Sequence, residues 1–342
     1  MSGRTGAVHD RAASGSSTPR AAGSDHRARW ATVALATLGV AALVAVATVA
    51  GRPGRTEPLA FGVTTPGGAT AGAELDAVEA AVGERPSLIL TYADFTTPPP
   101  VADLDAVAAR GAVPVVTWEP WNWDAPDSGG FGLAGIAAGT HDPYLREWAD
   151  ALRVWGRPVQ LRFAHEQNGT WYPWAVGVSG TTAADYVAAF RHVVQVFDAR
   201  GAGNVEFVWN PNVRFPGSSP MADTWPGSRY VDRVALDGYN WGTSSPGHRW
   251  QEPEEVFDDS LEELRELAPD VPITITEVAS AEEGGDKAAW VTDLVAHLDE
   301  QADVAAFVWF DHAKEADWRI ASSPASAAAM RAALAGRRLV AR

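Results

Sequence analysis

Residues 159–174 read VQLRFAHEQNGTWYPW, and the reading of this stretch decides the fold. Val159 to Ala164 is short, apolar and introduced by Pro158, which predicts a buried strand. Arg162 alone breaks the run. Side chains alternate across a strand, so Gln160, Arg162, Ala164 and Glu166 share one face. A guanidinium on a buried strand needs an anionic partner, because an unpaired buried charge is costly. A His-Glu pair, an Asn-Gly turn and three aromatic residues follow at once. A carboxylate, hydrogen-bonding groups and flat apolar faces together suit a sugar ligand.

Working outward, apolar or β-branched runs occur at 60–63, 87–92, 113–118, 159–164, 205–209, 233–237, 271–276 and 304–310. Helical patterns separate them at 71–82, 101–110, 142–155, 182–199, 254–267, 286–299 and 324–335. The Pro- and Gly-rich stretch 212–230 predicts a loop with little helix. Eight strand-like runs alternating with helices predict a (β/α)8 TIM barrel, an α/β fold, as one domain over 57–342. A doubly wound sheet is the second choice, and it lacks its glycine-rich dinucleotide fingerprint here. The basic end, Arg337 to Arg342, is expected to fray.

The first 56 residues are of another kind. Residues 1–29, rich in Ser, Gly, Ala and Arg, predict a disordered cytoplasmic tail. Residues 30–50 carry no charge over 21 positions, long enough to span a hydrocarbon core as a transmembrane or signal-anchor helix. Arg27 and Arg29 precede it, which predicts that everything beyond the linker 51–56 is exported. Small residues at 45–50 leave a cleaved signal peptide as the alternative, with a secreted product.

Residues 1–55 carry seven Arg and two Asp, so the remainder holds 20 basic and 41 acidic residues. A body that acidic disfavours nucleic acid and anionic polymers, while neutral polysaccharide remains compatible. The chain has no cysteine, which excludes disulfides and thiolate chemistry. It is expected to act as a monomer with no cofactor.

A barrel places its chemistry just past the C-terminal strand ends. Those ends carry Trp118, Glu119, Trp121 and Trp123; Glu166, Trp171 and Trp174; Trp209, Asn210 and Asn212; Asp237, Tyr239 and Trp241; Glu277; and Trp309, Asp311 and His312. Eight of the fifteen tryptophans fall there. Indole faces stack on the C–H faces of pyranose rings. Glycoside cleavage with retention needs two carboxyl groups about 5–5.5 Å apart. Glu277 is the only charge that the strand VPITIT delivers to the top, and Glu166 lies on the face of Arg162. The pair His165-Glu166 lacks the second histidine of a zinc-binding helix, so no metal is expected. No nucleophile-elbow pattern appears either.

The motifs RFAHEQNGTWYPW (162–174), VWNPN (208–212), VDRVALDGYNWG (231–242) and ITITEVAS (273–280) resemble those of glycoside hydrolase family 26. This resemblance implies a retaining (β/α)8 enzyme with Glu166 as acid/base and Glu277 as nucleophile. It implies that Arg162 and Tyr239 contact the nucleophile, that His165 matches the family's histidine just before the acid/base, and that Trp171 and Trp309 are sugar platforms. His165 is expected to hydrogen-bond, orienting Glu166 or the substrate. Trp118, Glu119, Trp121, Trp174 and Asn210 are further expected substrate contacts. Mannanases of the family commonly carry Trp-His after the third strand. This chain reads Trp118-Glu119, which is more like the glucan-active members. Cleavage of β-1,4-mannan or mixed-linkage β-glucan by double displacement is therefore expected. A membrane-anchored carbohydrate-binding protein and a transglycosylase are the alternatives. Arg162 beside Glu277 would keep the nucleophile ionised, and aromatic surroundings would raise Glu166.

Overall fold

A computed structural model describes residues 57–125 and 131–337. The expected tail, apolar segment and linker lie outside the described residues, as does 338–342. Among the described residues no helix is long and apolar enough to cross a membrane.

Eight parallel strands close into a barrel in sequence order. They are β1 Ala60–Thr64, β2 Leu88–Asp94, β3 Val113–Glu119, β4 Val159–Phe163, β5 Val205–Trp209, β6 Arg233–Asn240, β7 Ile273–Ser280 and β8 Val304–Phe310. The helices are α1 Gly72–Val82, α2 Val101–Ala109, α3 Leu133–Ala137, α4 Asp142–Trp155, α5 Ala183–Arg200, α6 Pro253–Leu267, α7 Lys287–Glu300 and α8 Pro324–Gly336. Every expected strand and helix is present. Between β5 and β6 only two short 3-10 turns form, at Met221–Thr224 and Ser228–Tyr230. The five-residue α3 is an element that periodicity did not find: LAGIA is too short to show a helical repeat.

The alternation of the strands sorts their side chains into two cores. Leu88, Leu90, Val115, Ala306 and Val308 point into the barrel with Ala60 and Tyr92. The other faces, among them Phe61, Ile89, Val116, Leu161 and Phe163, pack on the helices. Leu145, Trp148, Ala149 and Leu152 of α4 supply one such helical stripe, at spacings of three and four residues. The interior is tight at the bottom of β1. A methyl group at Gly62 would come within 2.9 Å of Leu88 and of Val308.

Two details bear on the site. Along β6 and β7, Leu236 pairs with Ile275 but Asp237 pairs with Glu277, so Thr276 is an extra residue in β7. Such a bulge re-aims the side chains beside it. The expected fraying also fails at its first residue. Arg337 donates to the Leu334 carbonyl at 2.9 Å, to the Leu59 carbonyl ahead of β1 and to Glu84, which ties the end of α8 to the start of the barrel.

Candidate active site

The site begins where β4 stops. Ala164 and Glu166 both adopt left-handed backbone angles, with φ of 48° and 52°. Such a conformation in a non-glycine residue costs roughly 1–3 kcal/mol, and it persists only where neighbours hold it. Here the Ala164 amide donates to the Trp118 carbonyl at 3.1 Å and the Glu166 amide to the Asn210 carbonyl at 2.7 Å. The Gly169 amide closes the turn on the Glu166 carbonyl at 2.9 Å. A Cβ at Gly169 would sit 2.7 Å from the Trp171 ring, so the glycine makes room for that indole.

Arg162 is the hub. It is wholly buried, and its Nε donates to Thr117 at 2.9 Å. Nη1 donates to Asp237 at 2.7 Å and to Asn210 at 3.2 Å, while Nη2 donates to Glu277. The anionic partner that the strand demanded is thus a pair of carboxylates from β6 and β7. Removing the guanidinium would leave both buried without a positive charge. Arg162→Met is expected to lose about 3–5 kcal/mol of folding stability, checked by urea denaturation.

Glu277 receives three donors. Besides Arg162, Tyr92 donates to Oε1 at 2.9 Å and Tyr239 to Oε2 at 2.5 Å. Burial, and then the charge of Glu277, hold both phenols well above their ordinary range, so they stay protonated donors. All three contacts come from N–H or O–H donors, so both of its oxygens serve as acceptors.

Glu166 is held differently. Its Oε1 accepts from Asn212 at 2.7 Å and its Oε2 from the Trp171 indole at 2.6 Å. Its carboxyl is raised to about 7, by burial first and then by the charge of Glu277, while Asn212, Trp171 and Arg162 act the other way. Two carboxyl groups within reach of each other's charge therefore differ in their surroundings. One sits among donors, and the other is pressed toward its protonated form.

The remaining expected residues divide. Trp171 stands 46% exposed at the cleft, beside Phe215 with ring centroids 5.5 Å apart. Glu119 lies under Trp123, whose indole donates to its Oε2 at 2.5 Å. Trp121 is half-buried against Tyr172 and Trp174. Trp118 and Trp309, expected at the substrate, are fully buried and face the helices. Trp118 stacks on Trp148 at 4.4 Å and donates to Tyr144, while Trp309 donates to the Trp318 carbonyl at 2.8 Å. The reason is the alternation itself: Val115, Ala306 and Val308 fill the barrel, so Trp118 and Trp309 point outward.

Trp174 is buried as well, donating to the His165 carbonyl at 2.7 Å and stacked on Tyr172 at 4.3 Å. It shapes the loop and offers no face to a sugar. Asn210 is buried too, its Oδ1 taken by Arg162 and the Thr276 hydroxyl. His165 makes no hydrogen bond to Glu166 among the described residues. Its ring lies 4.8 Å from that of Tyr172 and its Nδ1 is buried without a partner. Burial, then Arg162, holds it well below the ordinary histidine range and therefore neutral.

His165, Glu166 and Asp237 each bring one potential ligand atom within 4.8 Å of the others. A cation there would meet the Arg162 charge, and Asn212 and Trp171 already donate to both Glu166 oxygens. The cluster fits a proton-handling site better than a metal site.

Sequence reading placed Trp123, Asn212 and Asp237 at the strand ends without giving them a role, and it passed over Tyr92. Tyr92 had a usable signal, since it shares the face of Leu88 and Leu90 at the end of β2.

Known proteins resemble this chain in sequence and in fold. Residues 143–290 match the family model for glycosyl hydrolase family 26. Endoglucanase H of Acetivibrio thermocellus is 42% identical over 246 residues, covering 70% of this chain and 26% of that protein. Mannan endo-1,4-beta-mannosidase A and B of Caldalkalibacillus mannanilyticus is 34% identical over 103 residues, 28% of this chain and 19% of its own. The chain thus spans about a quarter or less of these relatives. A GH26 beta-mannanase structure from Bacteroides ovatus aligns over 82% of this chain and 90% of that one, with a TM-score of 0.60 at 15% identity, a likeness of fold. Four ordered motifs, a closed barrel and these matches lead to one assignment: the chain belongs to glycosyl hydrolase family 26.

Proposed function

We propose that this protein is a retaining endo-β-glycosidase acting on a neutral β-linked polysaccharide, with mixed-linkage β-glucan ahead of β-1,4-mannan. The observation that carries the reading is the contrast between two buried glutamates. Glu277 accepts from Arg162, Tyr92 and Tyr239, and Glu166 is raised to about 7 beside it.

In this mechanism the Glu277 carboxylate attacks the anomeric carbon and forms a glycosyl ester. The bond to the leaving oxygen breaks as the Glu166 proton passes to that oxygen. Glu166, now a carboxylate, takes a proton from the incoming water, whose oxygen displaces Glu277. Two inversions give net retention. The Trp171 indole serves twice: its face lines the leaving-group side, and its N–H steadies the acid.

Glucan is placed first on two grounds. Endoglucanase H is the more extensive of the sequence matches, and Glu119 stands where mannanases of the family commonly have histidine. A sugar-binding protein without turnover would have no use for a carboxyl raised to about 7 next to a carboxylate bound by three donors. A transglycosylase shares every residue and differs only in whether a sugar or water accepts. The uncharged stretch 30–50 supports export, membrane-anchored or secreted, which would bring the enzyme to polysaccharide outside the cell.

The test is cleavage of barley mixed-linkage glucan, mannan and xylan by the purified chain, with proton NMR of the first-formed anomer. Internal cleavage of the glucan with β-anomer release is the expected result; no cleavage of any of the three, or α-anomer release, overturns the reading. The protonated form of Glu166 is the active one. The kcat/KM is therefore expected to fall as pH rises through about 7, and a flat profile from pH 6 to 9 would remove Glu166 from the acid role.

A further inference from the structure

The mouth of the barrel carries two exposed tryptophans that each donate an indole N–H to a buried glutamate. Trp171 and Glu166 are one such pair, after β4. Trp123 and Glu119 are the other, after β3, and no step of the mechanism uses them. Trp123 is as exposed as Trp171, at 46%.

The second pair is a built arrangement. The Trp123 amide donates to Asp94 Oδ2 at 3.0 Å, and Asp94 Oδ1 is held by Thr96 and Thr97 at 2.7–3.0 Å. The Phe95 amide binds the Trp121 carbonyl at 3.1 Å. The loop is thereby clamped at the end of β2, and the indole is set over Glu119 with little freedom to swing away. Glu119 is 5% exposed, and only its Oε2 accepts a hydrogen bond from a described residue. Burial raises its carboxyl to about 7, so it offers both a donor and an acceptor.

Its position fixes which side of the cleft it serves. The charges that reach Glu119 include those of Arg162, Glu277 and Lys314, from β4, β7 and the loop after β8. Asn212 and Trp171 hold Glu166 from the loops after β5 and β4, with Phe215 beside them, whereas the Glu119 and Trp123 loop is fastened to the end of β2, whose Tyr92 donates to the nucleophile Glu277. The leaving sugar belongs to the flank of the acid, so the Glu119 flank faces the sugar held by the nucleophile.

Resting on the proposed glycosidase reading, we propose that Glu119 and Trp123 form a sugar subsite on the nucleophile side of the cleft. The indole face stacks on a neutral pyranose and the carboxyl hydrogen-bonds one of its hydroxyls.

The test compares Glu119→Gln and Trp123→Ala with the wild-type chain on barley glucan and on 2,4-dinitrophenyl β-cellobioside. Both sugars of the aryl substrate lie on the nucleophile side, and its activated leaving group needs no contact with Trp171. Each variant is expected to lose about 10- to 100-fold in kcat/KM on both substrates, with thermal melting unchanged. Calorimetry in a Glu277→Ala background, with cellotetraose as the probe, should show the same loss of affinity. Activities and affinities within about twofold of the parent overturn the subsite. A loss on glucan that disappears on the aryl substrate overturns its placement. A wild-type chain that cleaves neither substrate overturns the glycosidase reading itself, a result separable from the other two.

Discussion

Glu277→Ala is expected to reduce glucan hydrolysis by about 10⁴-fold or more, because the variant has no group that can bond to the anomeric carbon. Three donors would lose their acceptor at once: the Arg162 Nη2 and the hydroxyls of Tyr92 and Tyr239. Arg162 would still hold Asp237, so its charge remains paired and the barrel should stay folded. Azide can enter the space left by the carboxylate and attack in its place. One displacement replaces two, and the product is the α-glycosyl azide. The change also acts on Glu166. The charge of Glu277 is one of the two causes that raise that carboxyl, so its midpoint, followed by carbon NMR, should move below about 7. Residual glucan cleavage within tenfold of the wild type would sink the nucleophile assignment.

The second large effect concerns Glu166→Ala. Loss of a positioned general acid is expected to cost about 10²- to 10⁴-fold on glucan, whose leaving group is a sugar hydroxyl. An activated aryl glycoside, which departs without a proton, should keep its first step and lose the second. The variant would then show a burst followed by a slow steady state, since no base activates water. Azide would bypass that base and release the β-glycosyl azide, the opposite anomer from the Glu277 variant. The two products together distinguish the roles of the residues. Equal losses on glucan and the aryl substrate, with no rescue, would put Glu166 in a structural role instead. Asn212 and Trp171 lose their acceptor in this variant, but the Trp171 side of the cleft is open to water, which limits the cost to folding.

Much of this was legible along the chain. Strands show as apolar runs with period two, and helices as longer amphipathic stretches. Burial in a barrel makes both patterns strong, so each expected element lies within a few residues of its span, and only the short α3 escaped. Arg162 was legible for a different reason. A charge in a buried strand must be answered by an opposite one, and the answer, Asp237 and Glu277, is what the structure contains. Other placements were misread for want of a rule already in hand. Trp118 and Trp309 lie one residue out of phase with the side chains that fill the barrel, so they belong to the helix-facing core. Their nearness to the strand ends was a poor guide. Asn210, placed in the barrel-facing set, is used up by Arg162 and Thr276 before any ligand could reach it.

The residues of the site and the order of the strands are properties of the sequence, because hydrophobic period and buried charge are local in the chain. The aim of Glu277 is not. Ile273 and Ile275 pack toward the helices and Thr274 and Thr276 toward the interior, so strict alternation would turn Glu277 outward, away from Arg162. It faces the cleft because β7 slips one residue against β6 at Thr276, which delivers two successive side chains to the same side. Register between strands depends on pairing partners far apart in sequence, so only the assembled barrel decides it.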